Sequence, residues 1–198
     1  MSLSVTLLVI VSVVSVSVLG FVSRGIKSAF VLNPYVVRKR GHFHRLLTAG
    51  WVHADAGHLL FNMLTLYFFA DSVVSVLGVP RFLVLYVSAV VVAFVPTTLR
   101  HMRSPNYNSL GASGAVAAIM FSAIALHPGL KVGLPFVHGA SVPGLYYGLA
   151  YLAYSAWHSY RSRDGINHDA HFSGAIYGVL LTFVFEPKRV ERTISTLL

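Results

Sequence analysis

Long apolar runs separated by short polar segments dominate the chain. Six of these runs carry at most one Asp, Glu, Lys or Arg each, and they span residues 3–22, 57–77, 82–99, 110–126, 143–160 and 170–185. A helix of about 20 apolar residues is long enough to cross the ~30 Å hydrocarbon core of a bilayer. The pattern therefore predicts an all-α polytopic membrane protein with six transmembrane helices.

The connecting segments are short, with two exceptions. Residues 23–56 form a long basic stretch with apolar patches, which we expect to fold partly into the membrane interface. Residues 127–142 are rich in Gly and Pro and predict a loop or a re-entrant stretch. Because no repeat, low-complexity tract or linker interrupts the chain, we expect one domain over residues 1–198. A cleaved signal peptide is the alternative for 3–22, but that run lacks a basic segment before it and a small-x-small site after it.

Composition supports the same class. Of the 198 residues 56% are hydrophobic and 11% are charged, against about 25% charged in an ordinary soluble domain. This excludes a typical soluble enzyme and a disordered chain. The formal charge of +9 lies in segments between apolar runs, which favours contact with anionic lipid over nucleic acid. With no cysteine, disulfides, thiolate metal sites and cysteine nucleophiles are excluded.

Three polar sets stand at the first turns of the second, fourth and sixth predicted helices. They are His58 with Asn62, Ser113 between Gly111 and Gly114, and His171 followed by Gly174 and Gly178. Each set alone is more typical of helix packing or of a membrane interface. Even-numbered helices start from the same side of a membrane, however, so the sequence predicts that these side chains share one side and a similar depth.

This combination fits nucleophilic catalysis. Ser113 would attack an acyl carbon, and neutral His171 would accept the proton of its hydroxyl group. His58, Asn62 and the backbone N–H of Ser113 would form an oxyanion hole. Asp169 lies two residues from His171, and such a pair does not share a helix face. We therefore expect a Ser–His dyad, with Asp169 as the less favoured orienting group.

The motifs resemble those of rhomboid intramembrane serine proteases, and the resemblance covers nearly the whole chain. GxSG matches residues 111–114, HxxxN matches His58 and Asn62, and AHxxGxxxG begins at Ala170. The resemblance implies a six-helix rhomboid-like core in the cell membrane, without cofactor or metal. It also implies single-pass transmembrane proteins as substrates, cleaved in or near their transmembrane segment, with the fifth helix as a lateral gate. Gly111, Gly114, Gly174 and Gly178 would support close approach at the site.

Three positions depart from the family pattern. His44 precedes Arg45 where relatives carry Trp, which affects the anchoring of the first loop. Relatives often carry an aromatic residue four positions after the serine that stacks on the catalytic histidine, but here the position is Ala117. Another group must then hold the ring of His171. Val74 replaces an acidic residue near the far end of the second helix.

The orientation in the membrane is a conflict. Ten of the 15 Lys and Arg residues lie in segments 23–56, 100–109 and 161–167, on the side of the site. The positive-inside rule would place that side in the cytoplasm. The usual bacterial arrangement of the family places it outside, with both termini cytoplasmic, and we favour that arrangement.

Other functions stay open at this stage. The main alternative is a catalytically inactive rhomboid-like protein that binds membrane clients. A transporter would show paired intramembrane charges or repeated halves, and a metalloprotease would show HExxH. The sequence has none of these three features. An aspartyl protease would need a second aspartate to face Asp71. His53 is predicted to be a surface residue, with support of the first loop or of a bound water as the less favoured alternative. Five aromatic residues predict either a substrate gate or, equally, helix packing or an interfacial belt, namely Tyr146, Tyr147, Tyr151, Tyr154 and Trp157.

Overall fold

The computed structural model describes residues 4–133, 139–161 and 167–197. Within these ranges the chain is mostly helical. The helices are α1 Val5–Val22, α2 Arg24–Phe30, α3 Pro34–Arg40, α4 Arg45–Thr48, α5 Ala56–His101, α6 Ser113–Leu126, α7 Gly144–Arg161, α8 His168–Phe185 and α9 Pro187–Leu197. A 3-10 turn, Ala49–Trp51, follows α4. Most of the polar loop predicted at 161–167 lies outside the described residues, as does residue 3.

The apolar helices stand close to their predicted places. Among the described residues, α1 and α5 are long and apolar enough to cross a membrane. α6 is apolar but has 14 residues, about 21 Å of helix. α7 and α8 have 18 residues each. The number of helices that cross the membrane therefore stays a prediction, although the helical segments themselves are present.

The helix α5 consists of two limbs. Its 46 residues would reach about 69 Å if straight, more than twice the thickness of a bilayer core. Gly78 interrupts it with φ 74° and ψ 164°, a backbone conformation that glycine adopts without a steric cost. Pro80 follows at the start of the second limb, where its missing N–H removes no internal hydrogen bond. The limbs, 56–77 and 79–101, correspond to the predicted helices 57–77 and 82–99.

The segment predicted as a long loop is largely helical. α2 and α3 begin with side-chain caps, because Ser23 accepts the N–H of Ile26 and Asn33 accepts that of Val36. Arg45 donates to the carbonyl oxygens of Ser28 and Val31 at 2.8 and 2.6 Å. The guanidinium of Arg45 therefore anchors this segment, although His44 stands where relatives carry Trp. The sequence missed these helices because each is too short to show a clear period.

The structure is mostly helical, as predicted, with two features that the sequence missed. Lys131–Gly133 (β1) pairs with Ser141–Pro143 (β2) as an antiparallel hairpin that covers part of the predicted loop 127–142 and the first residue of the predicted fifth helix. After the sixth predicted helix ends, α9 adds a further helix whose Val190 and Thr193 are buried. Arg189 at its start donates to the carbonyl oxygen of Leu126, the last residue of α6. Arg189 of α9 therefore closes the end of α6.

The core forms around α6, which packs most extensively against α8 and α5. Every residue of α6 from Gly114 to Leu126 is buried. Gly174 and Gly178 of α8 face the backbone of Gly114 and Ala118, and a Cβ on either glycine would overlap the facing carbonyl oxygen. Small residues thus allow α6 and α8 to meet backbone to backbone, as in membrane helix pairs.

We expect Gly174→Ala to destabilise the protein by about 1–3 kcal/mol, the usual cost of an added methyl group in a packed core. The added Cβ would overlap the carbonyl group of Gly114 and push α8 away from α6. Thermal unfolding in detergent measures the effect. Gly129→Ala is the control, because nothing lies within 4 Å of its Cβ position. Equal midpoints for the two variants would contradict the proposed close contact.

Candidate active site

The hydroxyl group of Ser113 and the ring of His171 meet. The distance from Nε2 of His171 to Oγ of Ser113 is 2.7 Å. Ser113 is the first residue of α6, and His171 lies in the first turn of α8. The close α6–α8 packing therefore brings the two side chains together, as the sequence predicted. If Nε2 accepts the hydroxyl proton, the neutral imidazole carries its own proton on Nδ1.

A cavity of about 1100 Å³ contains this pair and is also lined by His58 and Asn62. Both residues lie in the first turns of α5, where the carboxylate of Asp55 caps the helix by accepting the N–H of His58 at 2.8 Å. The side-chain amide of Asn62 donates to the backbone carbonyl of His58 at 2.9 Å. One N–H bond of that amide is used in this way and the other remains for a ligand.

The two glycines beside Ser113 serve different purposes. Gly111 has φ 108°, and the ring of His58 occupies the space that a Cβ would fill. Gly114 makes room for Ala93 and for the carbonyl oxygen of Ala170. α6 begins at Ser113 and not at residue 110 as predicted, so Gly111 belongs to the preceding turn. These glycines therefore let the neighbouring helices and His58 pack closely around the serine. The sequence predicted close approach at the site.

The prediction that His53 is a surface residue is wrong. His53 is 1% exposed, and its Nε2 accepts the N–H of Ala112, the residue before Ser113, at 3.2 Å. Its Nδ1 lies 2.8 Å from Oγ of Ser17, which donates to the carbonyl oxygen of Trp51 at 2.9 Å. An acceptor at Nε2 requires the proton on Nδ1, which then donates to Ser17. Burial accordingly lowers the pKa of His53 to about 3.

His53 therefore links α1 to the turn that leads to the serine. Ser17 belongs to α1, Trp51 to the 3-10 turn, and Ala112 to the turn that leads into α6. No sequence pattern indicates this link, because Ser17 is one of several serines in an apolar run. A single buried hydrogen bond between that run and a loop histidine has no local pattern.

A second polar network holds the start of α8. The carboxylate of Asp169 pairs with the guanidinium of Arg100 at 2.7 Å and accepts a hydrogen bond from the hydroxyl of Ser159 on α7. Asn167 caps α8 by accepting the N–H of Ala170 at 3.0 Å. The same side-chain oxygen accepts the hydroxyl of Thr97 at 2.7 Å. Asp169 thus joins the ends of α5, α7 and α8. Its carboxylate binds Arg100 and Ser159 instead of orienting the ring of His171.

Two rings lie against His171. The ring of Tyr151, on α7, lies 6.2 Å away between centroids with an interplanar angle of 24°. The ring of His168 meets it edge-on at 5.9 Å and 73°. Ala117 lies one turn after Ser113 and lines the same cavity. Ala117 has no ring to place against His171. Tyr151 of α7 and His168 of α8 make the aromatic contacts instead.

Comparison with known proteins identifies the family. The Rhomboid domain matches residues 40–188, and the chain belongs to the rhomboid family, whose members are membrane proteins. It is 31% identical to RHOMBOID-like protein 12, mitochondrial, of Arabidopsis thaliana over 166 residues, covering 74% of this chain and 48% of the plant protein. Identity is 28% over 155 residues to YdcA of Bacillus subtilis (strain 168), whose name assigns it provisionally to the rhomboid proteases; 77% of this chain and 72% of YdcA are covered.

A third relative is the presenilin-associated rhomboid-like protein A, mitochondrial, of Danio rerio. It is 30% identical over 138 residues, which cover 68% of this chain and 35% of the fish protein. The chain thus spans about half the length of the plant relative and about a third of the fish relative. Over the parts that match, this chain and its three relatives have the rhomboid family in common.

The state of His53 predicts an acid sensitivity of the fold. Because its pKa falls from 6.5 to about 3 on folding, the unfolded chain binds the proton more readily, and stability declines as the pH is lowered from about 6.5 toward 3. We expect His53→Gln to reduce this decline, since an amide can form both hydrogen bonds without titrating. Unfolding midpoints between pH 4 and 8 measure it. His44→Gln, at an exposed histidine, is the control and should leave the slope unchanged; an equal slope for His53→Gln would refute the assignment.

Proposed function

We propose that the protein is an intramembrane serine endopeptidase. The observation that carries the proposal is the 2.7 Å approach of His171 Nε2 to Ser113 Oγ inside a cavity among apolar helices. A serine hydroxyl is a weak nucleophile until a base within hydrogen-bond reach accepts its proton. Membership of a family that is generally made up of such proteases supports the same activity.

The reaction would proceed in two halves. Oγ of Ser113 forms a bond to the carbonyl carbon of the peptide while its proton moves to Nε2 of His171. The tetrahedral intermediate then breaks its C–N bond, and His171 gives the proton to the departing amine. In the second half a water molecule loses its proton to His171 and attacks the acyl ester. Cleavage of that ester bond releases the acid and returns the proton to Oγ of Ser113.

The negative oxygen of the intermediate needs hydrogen-bond donors. Ser113 begins α6, and the first N–H groups of a helix have no partner within it. Its backbone N–H is therefore available, and the positive end of the helix dipole lies at the same place. The free N–H of the Asn62 amide and the ring of His58 line the same cavity. We propose these three groups as the oxyanion hole; one such donor contributes on the order of 10²-fold to kcat in serine proteases.

We further propose six transmembrane segments, formed by α1, both limbs of α5, α6, α7 and α8. Large apolar side chains are exposed on most of these helices, for example Leu8, Phe68, Val84, Leu149 and Val184. A soluble protein would leave few such surfaces open. The proposed substrates are single-pass transmembrane proteins, which reach the cavity from the lipid beside α7. We also propose that the protein lies in the cell membrane with its site facing outward. The plant and fish relatives, in contrast, are named mitochondrial.

The alternative, a catalytically inactive client-binding protein, is tested by reaction with a fluorophosphonate probe. We expect the purified protein to be labelled and Ser113→Ala or His171→Ala to lose labelling by at least about 10³-fold. Ser122→Ala, in the same helix, and His127→Ala, at its far end, are the matched controls. Labelling that persists in folded Ser113→Ala would refute the nucleophile. A folded wild-type protein that resists the probe under all conditions would favour the client-binding function.

The absence of cysteine allows a direct test of topology. Single cysteines at the exposed positions Ser28 and Ser104 should react with an impermeant maleimide from the side of Ser113. Cysteines at Gly129 and Ser195, also exposed, should react from the opposite side. The outward-facing arrangement predicts labelling of the first pair in intact cells and of the second pair only after permeabilisation. Reaction of Ser28→Cys and Ser195→Cys from one side would contradict six spans.

A further inference from the structure

The contact between Tyr151 and His171 joins two different helices. Tyr151 belongs to α7, and His171 belongs to α8. Their rings are nearly parallel, at 24°, with centroids 6.2 Å apart, within the range of offset-stacked aromatic pairs. His168 also touches His171, but it moves with the same helix. Of these two ring contacts, the one with Tyr151 depends on where α7 lies.

The small side chain at position 117 leaves space for Tyr151. Ala117 is 2% exposed. It belongs with Phe121 to the apolar cluster against which Tyr151 packs. The ring of Phe121 lies 5.6 Å from that of Tyr151 between centroids. A ring at position 117 would be one turn from Ser113 on the same helix face. It would compete for the volume that Tyr151 fills.

α7 is the least embedded of the helices around the cavity. It contacts α8 more than α6, and it exposes Tyr146, Leu149, Tyr154 and Trp157. Its later part is joined to α8 and α5 through the hydrogen bonds of Ser159 with Asp169 and Arg100. Tyr151 lies eight residues before Ser159, about 12 Å along the helix, so a tilt of α7 about this joint would carry the ring away from His171.

We propose that Tyr151 is the positioning residue of the His171 base, and that the base is therefore held in its reactive orientation only while α7 lies against α8. This inference rests on the proposed protease function. The ring of Tyr151 restricts rotation of the imidazole, so that Nε2 stays directed at Ser113. Movement of α7 away from α8, which would open the cavity to lipid, then also releases the base. Admission of a substrate and readiness of the base are coupled through one side chain.

Relocating the ring tests the proposal. We expect Tyr151→Leu to slow fluorophosphonate labelling of Ser113 by about 10-fold, the upper range of what one aromatic contact contributes. Tyr151→Phe keeps the ring and should restore most of the rate. The double variant Ala117→Phe with Tyr151→Leu places a ring on α6 in the vacated space and should also recover it. Tyr146→Leu, an exposed residue of the same helix, is the control for a general effect on α7.

Two outcomes of the labelling experiment would overturn the proposal. One is a wild-type rate for Tyr151→Leu. The other is a loss in Tyr151→Phe as large as in Tyr151→Leu, which would assign the effect to the hydroxyl group and not to the ring.

A second measurement does not depend on catalysis. Nuclear magnetic resonance of protein labelled at histidine reports the ring protons of His171, assigned with His171→Gln. Ring currents shift the signals of protons next to an aromatic face, so Tyr151→Leu should move a His171 ring-proton signal while Tyr151→Phe leaves it in place. An unchanged signal in Tyr151→Leu would refute the contact. A wild-type protein that resists the probe but shows this shift would refute the protease function and leave the positioning contact established.

Discussion

The approach of α6 to α8, backbone against backbone, is the contact on which the rest of the molecule depends. Gly174 and Gly178 of α8 carry no side chain that would separate the two helices. The same holds for Gly114 on the facing surface of α6. Because Ser113 and His171 lie at the starts of these helices, the distance between the helices sets the distance between the two reactive atoms. Dispersion forces across such a contact act without any hydrophobic driving force from lipid, so small residues matter more here than apolar bulk.

Around this contact, polar links fix the ends of helices that apolar packing alone would leave free to slide. His53 connects α1 and the 3-10 turn to Ala112, and Asn167 connects α8 to the second limb of α5. Each link uses a neutral or paired group whose hydrogen bonds are satisfied, as a buried site requires. The result is a frame of linked helices on the side of α1, α5 and α8, whereas α7 lines the cavity with Tyr147 and Tyr151 and exposes Tyr146, Tyr154 and Trp157.

The sequence predicts the parts that arise from local patterns. Apolar runs located the helices, and the resemblance of the motifs around Ser113 and His171 to those of rhomboid proteases implied close approach at the site. Interactions between distant residues were less accessible. The burial of His53 depends on Ser17, 36 residues away, and the stacking of Tyr151 depends on how α7 crosses α8. The short helices α2, α3 and α4 were missed because a seven-residue segment shows too few turns for a periodic signal, and β1–β2 was missed because each strand has three residues.

The burial of α6 from Gly114 to Leu126 has a consequence for the barrier function of the membrane. The proposed hydrolysis would have to bring water to a peptide bond in lipid, yet a continuous water path would leak protons and ions. Along α6 the cavity reaches from Ser113 to Met120, about 10 Å of helix. From Phe121 to Leu126 the helix is buried in the described structure, and Arg189 covers its last carbonyl. Among the described residues of α6 the cavity lining ends at Met120, so the buried half from Phe121 to Leu126 separates Ser113 from the far end of the helix, as a barrier to ions would require.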